Sequence, residues 1–191
     1  MMTQQSTAVL RYWIGLGPLG WYKGTPEIDT DIREHFQSLW QQARENGLDD
    51  WVEAAQPALA ALIVLDQFPR NMFRDHPDSF ITDAAAVRLA EQAIARGHDL
   101  ATEPPLRQFF YLPLMHAENL AAQTRCCALF AERMPGDNLR HARAHRDVIA
   151  RFGRFPWRNA TLGRQNTAEE IAFLAAGGYA SVIRDYPAVA G

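Results

Sequence analysis

The chain has 191 residues, 48% hydrophobic and 21% charged, with a formal net charge of −3 at pH 7. That length and balance suit one globular domain and argue against long disorder, so 1–191 is expected to form a single helical domain with 179–191 as a loosely packed tail. The longest apolar run, Ala58 to Leu65, is too short to span a membrane; the N-terminus MMTQQSTAVLRYW lacks the marks of a signal peptide; and the adjacent Cys126 and Cys127 exclude a disulfide framework, which together point to the cytoplasm.

In chain order, a short helix is expected over Thr7–Ile14, followed by a Gly/Pro/aromatic loop, GLGPLGWYKGTP. Ile28, Ile32, Phe36, Leu39 and Trp40 stand at helical spacing within Glu27–Asn46, and Gly47 is a natural stop. Trp51–Gln67 is the most apolar helical segment and ends at Pro69. Asp83 can cap a helix over Ala84–Arg96 that Gly97 closes. Leu106–Met134 reads as one helix bent at Pro113, or as two. Asp137 or Asn138 can start a helix that runs to Phe152 and stops at Gly153. After the loop RFPWRNATLGRQN, Thr167 and Glu170 form a capping box for a last helix to Ala176, with Gly177-Gly178 behind it. Strand patterning is missing, so the fold class is all-α: a helical array of about seven to nine helices, with helix pairs of roughly thirty residues recurring in the manner of a repeat array.

Charge is unevenly spread. Between Arg140 and Arg164 there are seven arginines and one acid, Asp147, so that segment is +6 and the remainder −9. Lys23 is the only lysine, and arginine offers the planar fork that suits carboxylates and phosphates.

Three polar residues fall on apolar helix faces. Asp66 shares a face with Leu59, Leu62 and Ile63; His116 follows Leu106, Phe109 and Pro113; His145 lies with Ala142, Ile149 and Phe152. A buried carboxylate is costly unless paired. One polar pocket holding Asp66, His116 and His145 as catalytic candidates satisfies all three at once; the alternative is that each is a separately satisfied core residue. Gln67, Arg70, Asn71, Arg154, Arg158 and Asn159 lie on flanking loops and, with Glu118 at the rim, are the ligand-binding candidates. Glu118 can alternatively pair with Arg125, and Asp147 is expected to form an ion ladder with Arg143 and Arg151. His141 and His145 share a face without an HExxH pattern, so no metal ligands are assigned and no cofactor is expected. Phosphate-loop, dinucleotide and serine-elbow motifs are missing as well. The acidic balance outside 140–164 argues against a nucleic-acid partner.

The segments LDQFPRN (Leu65–Asn71), YLPLMHAEN (Tyr111–Asn119), FGRFPWRN (Phe152–Asn159), Leu162-Gly163-Arg164 and TAEEIAFL (Thr167–Leu174), with Trp13, Trp21, Phe36, Gly47 and Trp51, carry a resemblance over nearly the whole chain. It resembles the bacterial domain of unknown function family 924. The resemblance implies an all-α, tetratricopeptide-like fold and supplies no activity. Two departures stand out. Trp157 occupies a position that is usually His in the family pattern, and Met115, Ala117 and Asn119 interrupt a motif that usually reads EHSED, leaving His116 and Glu118.

The functional expectation is therefore a polar Asp/His/Arg pocket for a small anionic ligand, suited to hydrolysis or group transfer, with enzymatic turnover left open. The rival is a non-catalytic helical-repeat interaction module. A third reading, a homo-oligomer, rests on Trp13, Trp21 and Tyr22 as surface aromatics.

Overall fold

Thr3 starts the first helix by side-chain chemistry: its hydroxyl accepts the Ser6 N–H at 3.0 Å while the Ser6 hydroxyl accepts the Thr3 N–H at 2.9 Å. A computed structural model describes residues 3–188. Helix α1 runs Gln4–Lys23, longer than the sequence suggests. Its break is confined to Gly17, whose φ of 63° and ψ of −179° interrupt the helix, and Pro18 restarts it where a missing N–H does no harm. The expected loop is thus partly helix.

Helix α2 (Pro26–Asn46) begins at Thr25, whose hydroxyl accepts the Ile28 N–H, and ends at Gly47 with φ 75°. It buries Ile32, Phe36, Leu39, Trp40 and Ala43, the stripe its spacing calls for. The most apolar segment is less regular than expected. A 3₁₀ turn (Asp49–Glu53) precedes α3 (Ala55–Leu62), which continues through a π turn (Ile63–Gln67) into α4 (Phe68–Met72). Proline explains the irregularity. Pro69 has no N–H to give the Leu65 carbonyl. The chain widens so that the Phe68 N–H reaches Ile63 O, and the Thr82 hydroxyl donates to Leu65 O at 2.6 Å instead. Helix α3 is buried continuously from Pro57 to Leu62, the mark of a central helix. α1 and α5 (Asp83–Ala95) pack on it, and α2 packs on α4.

The described residues divide into two compact units, 3–113 and 114–188. In the first, Trp13 is 1% exposed and meets Phe109 edge-on at 5.5 Å and Trp21 in a stack at 6.2 Å. The Trp21 ring N–H donates to Trp13 O at 2.7 Å. These two rings are packing groups, which corrects their reading as surface aromatics; Tyr22 alone of the three is well exposed, at 63%.

The stretch expected to be one bent helix or two follows the second alternative. A 3₁₀ turn (Leu106–Phe110) leads into α6 (Leu112–His116), and α7 (Leu120–Arg133) starts afresh where the Asn119 side chain accepts the Ala122 N–H at 3.0 Å. In the second unit α7 packs against α8 (Asp137–Phe152), which ends at the left-handed Gly153. α9 (Ala168–Ala175) has the expected Thr167/Glu170 capping box. The core there is Val148, Ile149, Phe155 and Phe173, with Phe152, Leu174 and Val182 against it. Cys126 and Cys127 are both buried thiols; burial pushes the Cys126 thiol well above its ordinary value and raises that of Cys127. Within the segment expected to be a loose tail, α10 (Tyr179–Ile183) lies against α8; residues 189–191 of that tail lie outside the described residues. Among the described residues every regular element is helical, as the sequence pattern requires.

Candidate functional site

The LDQFPRN segment carries charge into the first unit. Asp66 sits in the π turn with 1% exposure. Its carboxylate accepts from the Gln67 amide at 2.5 Å and lies 3.4 Å from the Arg70 guanidinium, one turn on. Arg70 also donates to Asp66 O at 2.5 Å and to Asp83 Oδ1 at 2.9 Å. Burial opposes the Arg70 charge, yet Asp66 and Asp83 raise its proton affinity above the ordinary value. Asp83, expected to cap α5, spends its carboxylate on this ion triad; Thr82 holds the cap position. Asn71 turns the other way. Its amide donates to Asp29 Oδ1 at 2.9 Å, and Arg74 clasps the same carboxylate through Nε and Nη2. Despite partial burial, those donors hold the Asp29 carboxyl below the usual range. Asp66, Gln67, Arg70 and Asn71 therefore knit α2, α4 and α5 together.

In the second unit Glu118 plays a comparable part. Its carboxylate accepts the Phe155 N–H at 2.8 Å and both ends of the Arg164 fork, at 2.6 and 2.9 Å. Its partner is Arg164 rather than Arg125, because the chain returns across Glu118 after Gly163, a tertiary contact that helical spacing cannot reveal. Burial works against the Glu118 charge, but Arg164 and Phe155 keep its carboxyl below the ordinary value. Arg154 forks onto Glu170 at 2.6 and 2.8 Å. That fork, with the Thr167 N–H, lowers the Glu170 carboxyl to about 2, and Glu170 is only 2% exposed. Asn159 donates to Asn166 Oδ1 at 2.6 Å. Asp147 binds the Arg146 guanidinium and the Tyr186 hydroxyl, which replaces the surface ladder expected with Arg143 and Arg151.

The remaining candidates converge on an imidazole cluster. α8 presents His145 with its Nδ1 2.9 Å from His141 O, so Nδ1–H donates and the lone pair rests on Nε2. Phe155 and Trp157 stand edge-on to the His145 ring at 5.4 and 6.1 Å, and Tyr179 lies 4.7 Å away. Burial lowers the His145 pKa to about 3, and His116, His141 and Arg158 add a positive field against protonation. The imidazole is neutral at pH 7. Arg158 is 7% exposed with its guanidinium 4.7 Å from the centre of the Phe155 ring. His141 Nδ1 lies 2.6 Å from the Tyr179 hydroxyl, whose own pKa burial raises to about 12, so the hydroxyl is the donor.

Of the ten site residues read from sequence, His116, Glu118, His145, Arg154, Arg158 and Asn159 belong to the second unit, and Asp66, Gln67, Arg70 and Asn71 to the first. The first group brings His116, His145 and Arg158 within electrostatic reach of one another. His141 and Trp157, noted in the sequence but not assigned to the site, complete the cluster together with Tyr179, which the sequence did not single out. Helical spacing put His141 beside His145, but Tyr179 follows two glycines and carries no periodic signal.

The geometry defines an all-helical protein built around arginine–carboxylate clasps, with a neutral imidazole among aromatic rings. None of its described helices is long and apolar enough to cross a membrane. The chain belongs to the family described as bacterial protein of unknown function (DUF924), whose model matches residues 9–178. It is similar, at 42% identity and a TM-score of 0.86, to a solved structure from Agrobacterium tumefaciens described as a protein of unknown function, over 90% of this chain and 97% of that one. None of the curated proteins compared with it matches.

Proposed function

We propose that the second unit binds a small anionic ligand, bearing a phosphate or carboxylate, at the cluster of His116, His145 and Arg158. The observation that carries this reading is Arg158, which is 7% exposed and whose guanidinium lies within electrostatic reach of the neutral His145 imidazole. Arginine supplies the planar fork that matches a phosphate or carboxylate. In a hydrolase or transferase the His145 ring, oriented by the His141 carbonyl, accepts a hydrogen bond from the substrate through Nε2, since a pKa of about 3 makes it a weak base at pH 7. Asp66, Gln67, Arg70 and Asn71 serve this reading only by stiffening the first unit. Buried thiols suit a reducing compartment, which supports a cytoplasmic location.

A thermal-shift panel of phosphorylated and carboxylated metabolites tests the proposal. A ligand at a hundred times its Kd is expected to add about 2.7 kcal/mol of stability. Arg158→Lys and His145→Asn are expected to abolish most of that gain. A panel with no stabilising member, or a gain that survives both substitutions, overturns it.

The clasping of Arg154 by Glu170 and of Arg164 by Glu118 favours a second reading, in which the arginines only shape a helical interaction module. Under it, a protein partner is retained after His116→Ala and His145→Ala, and no metabolite shifts the melting temperature.

A further inference from the structure

The rings around His145 are in contact with one another. Phe155 stacks on Trp157 at 4.8 Å, Trp157 meets Tyr179 edge-on at 5.7 Å, and Tyr179 closes onto His145 at 4.7 Å. The place beside the imidazole is therefore filled, and by a residue of a distinctive element. Tyr179 opens α10, a helix without a single fully buried residue. Directly before it stand Gly177 and Gly178, with φ of 107° and 53°, conformations that favour glycine; their N–H groups donate to the carbonyls of Leu174 and Phe173 and close α9. What holds α10 down is largely polar. The Tyr179 hydroxyl donates to His141, Arg140 donates to the carbonyls of Ile183 and Tyr186, and the Tyr186 hydroxyl donates to Asp147. All three anchors, Arg140, His141 and Asp147, stand on α8, the helix that carries His145. Half-buried Val182 is the segment's contribution to the apolar core.

A short element with little buried apolar surface and bonds at its rim opens locally at a smaller free energy than the core beneath it. We infer that α10 is a hinged cover whose plug is Tyr179, and that it swings about Gly177-Gly178 to bare the His145 ring. The hinge stands on this geometry alone. That the opening admits a ligand rests on the function proposed above. In that role the Tyr179 ring competes with the ligand for the face of His145, and removing the ring strengthens binding.

Hydrogen–deuterium exchange on the full chain, read by peptide mass, tests the hinge without a ligand. Amides of 179–186 are expected to exchange at least tenfold faster than those of 141–149 in α8. Tyr186→Phe, which deletes one rim hydrogen bond, is expected to speed the cover about fivefold while leaving α8 unchanged. Protection of 179–186 equal to that of α8, with no response to Tyr186→Phe, overturns the hinge. A second arm measures binding of inorganic phosphate to the wild type and to Tyr179→Ala. A severalfold gain in phosphate affinity in Tyr179→Ala supports the plug, and phosphate binding that Tyr179→Ala leaves unchanged or weakens overturns it. Phosphate that binds neither protein overturns the plug but leaves the exchange result, and with it the hinge, intact.

Discussion

Thr82 shows how one residue can decide whether an irregular helix is tolerable. The Leu65 carbonyl lost its partner when proline took position 69, and the Thr82 hydroxyl restores it at 2.6 Å in a buried setting. Thr82→Val keeps the shape and removes the donor. It is expected to destabilise the protein by about 1–3 kcal/mol, the usual penalty for an unsatisfied buried acceptor, whereas Thr82→Ser keeps most of the stability. Urea denaturation of both variants checks this; equal stabilities would show that Leu65 O does not depend on the hydroxyl. The proline was plain in the sequence, and so was the burial of Asp66, which follows from its place beside Leu59, Leu62 and Ile63. The π turn was not. It depends on a donor seventeen positions downstream, and helical periodicity carries no information about partners so distant. His145 was placed by the same spacing argument as Asp66, and its neutral state follows from surroundings that spacing cannot list.

Among the elements, arginine clasps engage several of the site candidates: Asp66 with Arg70, Glu118 with Arg164 and Arg154 with Glu170. Helix starts and stops were legible where they depend on local chemistry: Gly47, Gly153 and the Thr167/Glu170 box. After Leu106 the sequence left one bent helix or two open; the choice of two turns on Asn119, whose role as a new cap the spacing does not show. The ion triad of Asp66, Arg70 and Asp83 ties the π turn to the start of α5. Removing its centre takes away the guanidinium that faces both Asp66 and Asp83. Arg70→Ala is expected to cost about 3 kcal/mol, since a buried carboxylate then loses its cation. The double change Arg70→Ala/Asp66→Asn is expected to recover part of that loss. Full additivity of the two changes in a double-mutant cycle would deny the coupling. The Glu118–Arg164 fork is the counterpart in the second unit. There Glu118→Gln is expected to lower stability by about 1–2 kcal/mol, a smaller loss because both partners are partly exposed. The same cycle with Arg164→Ala isolates the pair.

At the scale of the whole molecule, the charges divide the acid response into two windows. His145 titrates near 3 in the folded protein and near its ordinary 6.5 when unfolded. Above pH 6.5 neither state binds the proton, and the group exerts no pH-dependent effect. As pH falls through 6.5 the unfolded chain takes up a proton that the folded chain refuses, so stability declines until about pH 3. The limiting slope is about 1.4 kcal/mol per pH unit, or about 2 kcal/mol between pH 6.5 and 5. Asp29, Glu118 and Glu170 act lower down. Their carboxyls are depressed in the fold, so their contribution is present above the ordinary carboxylate range and is lost as pH falls through their folded values, about 2 for Glu170. His145→Asn retains an amide near the Nδ1 position but cannot be protonated. In urea titrations at pH 7, 6, 5 and 4, the wild type is expected to lose stability from pH 6.5 downward, while His145→Asn stays level until the carboxylates begin to titrate. Parallel curves for the two proteins between pH 6.5 and 5 would show that His145 protonates as readily folded as unfolded, and the neutral imidazole that the anion site includes would be lost with that result.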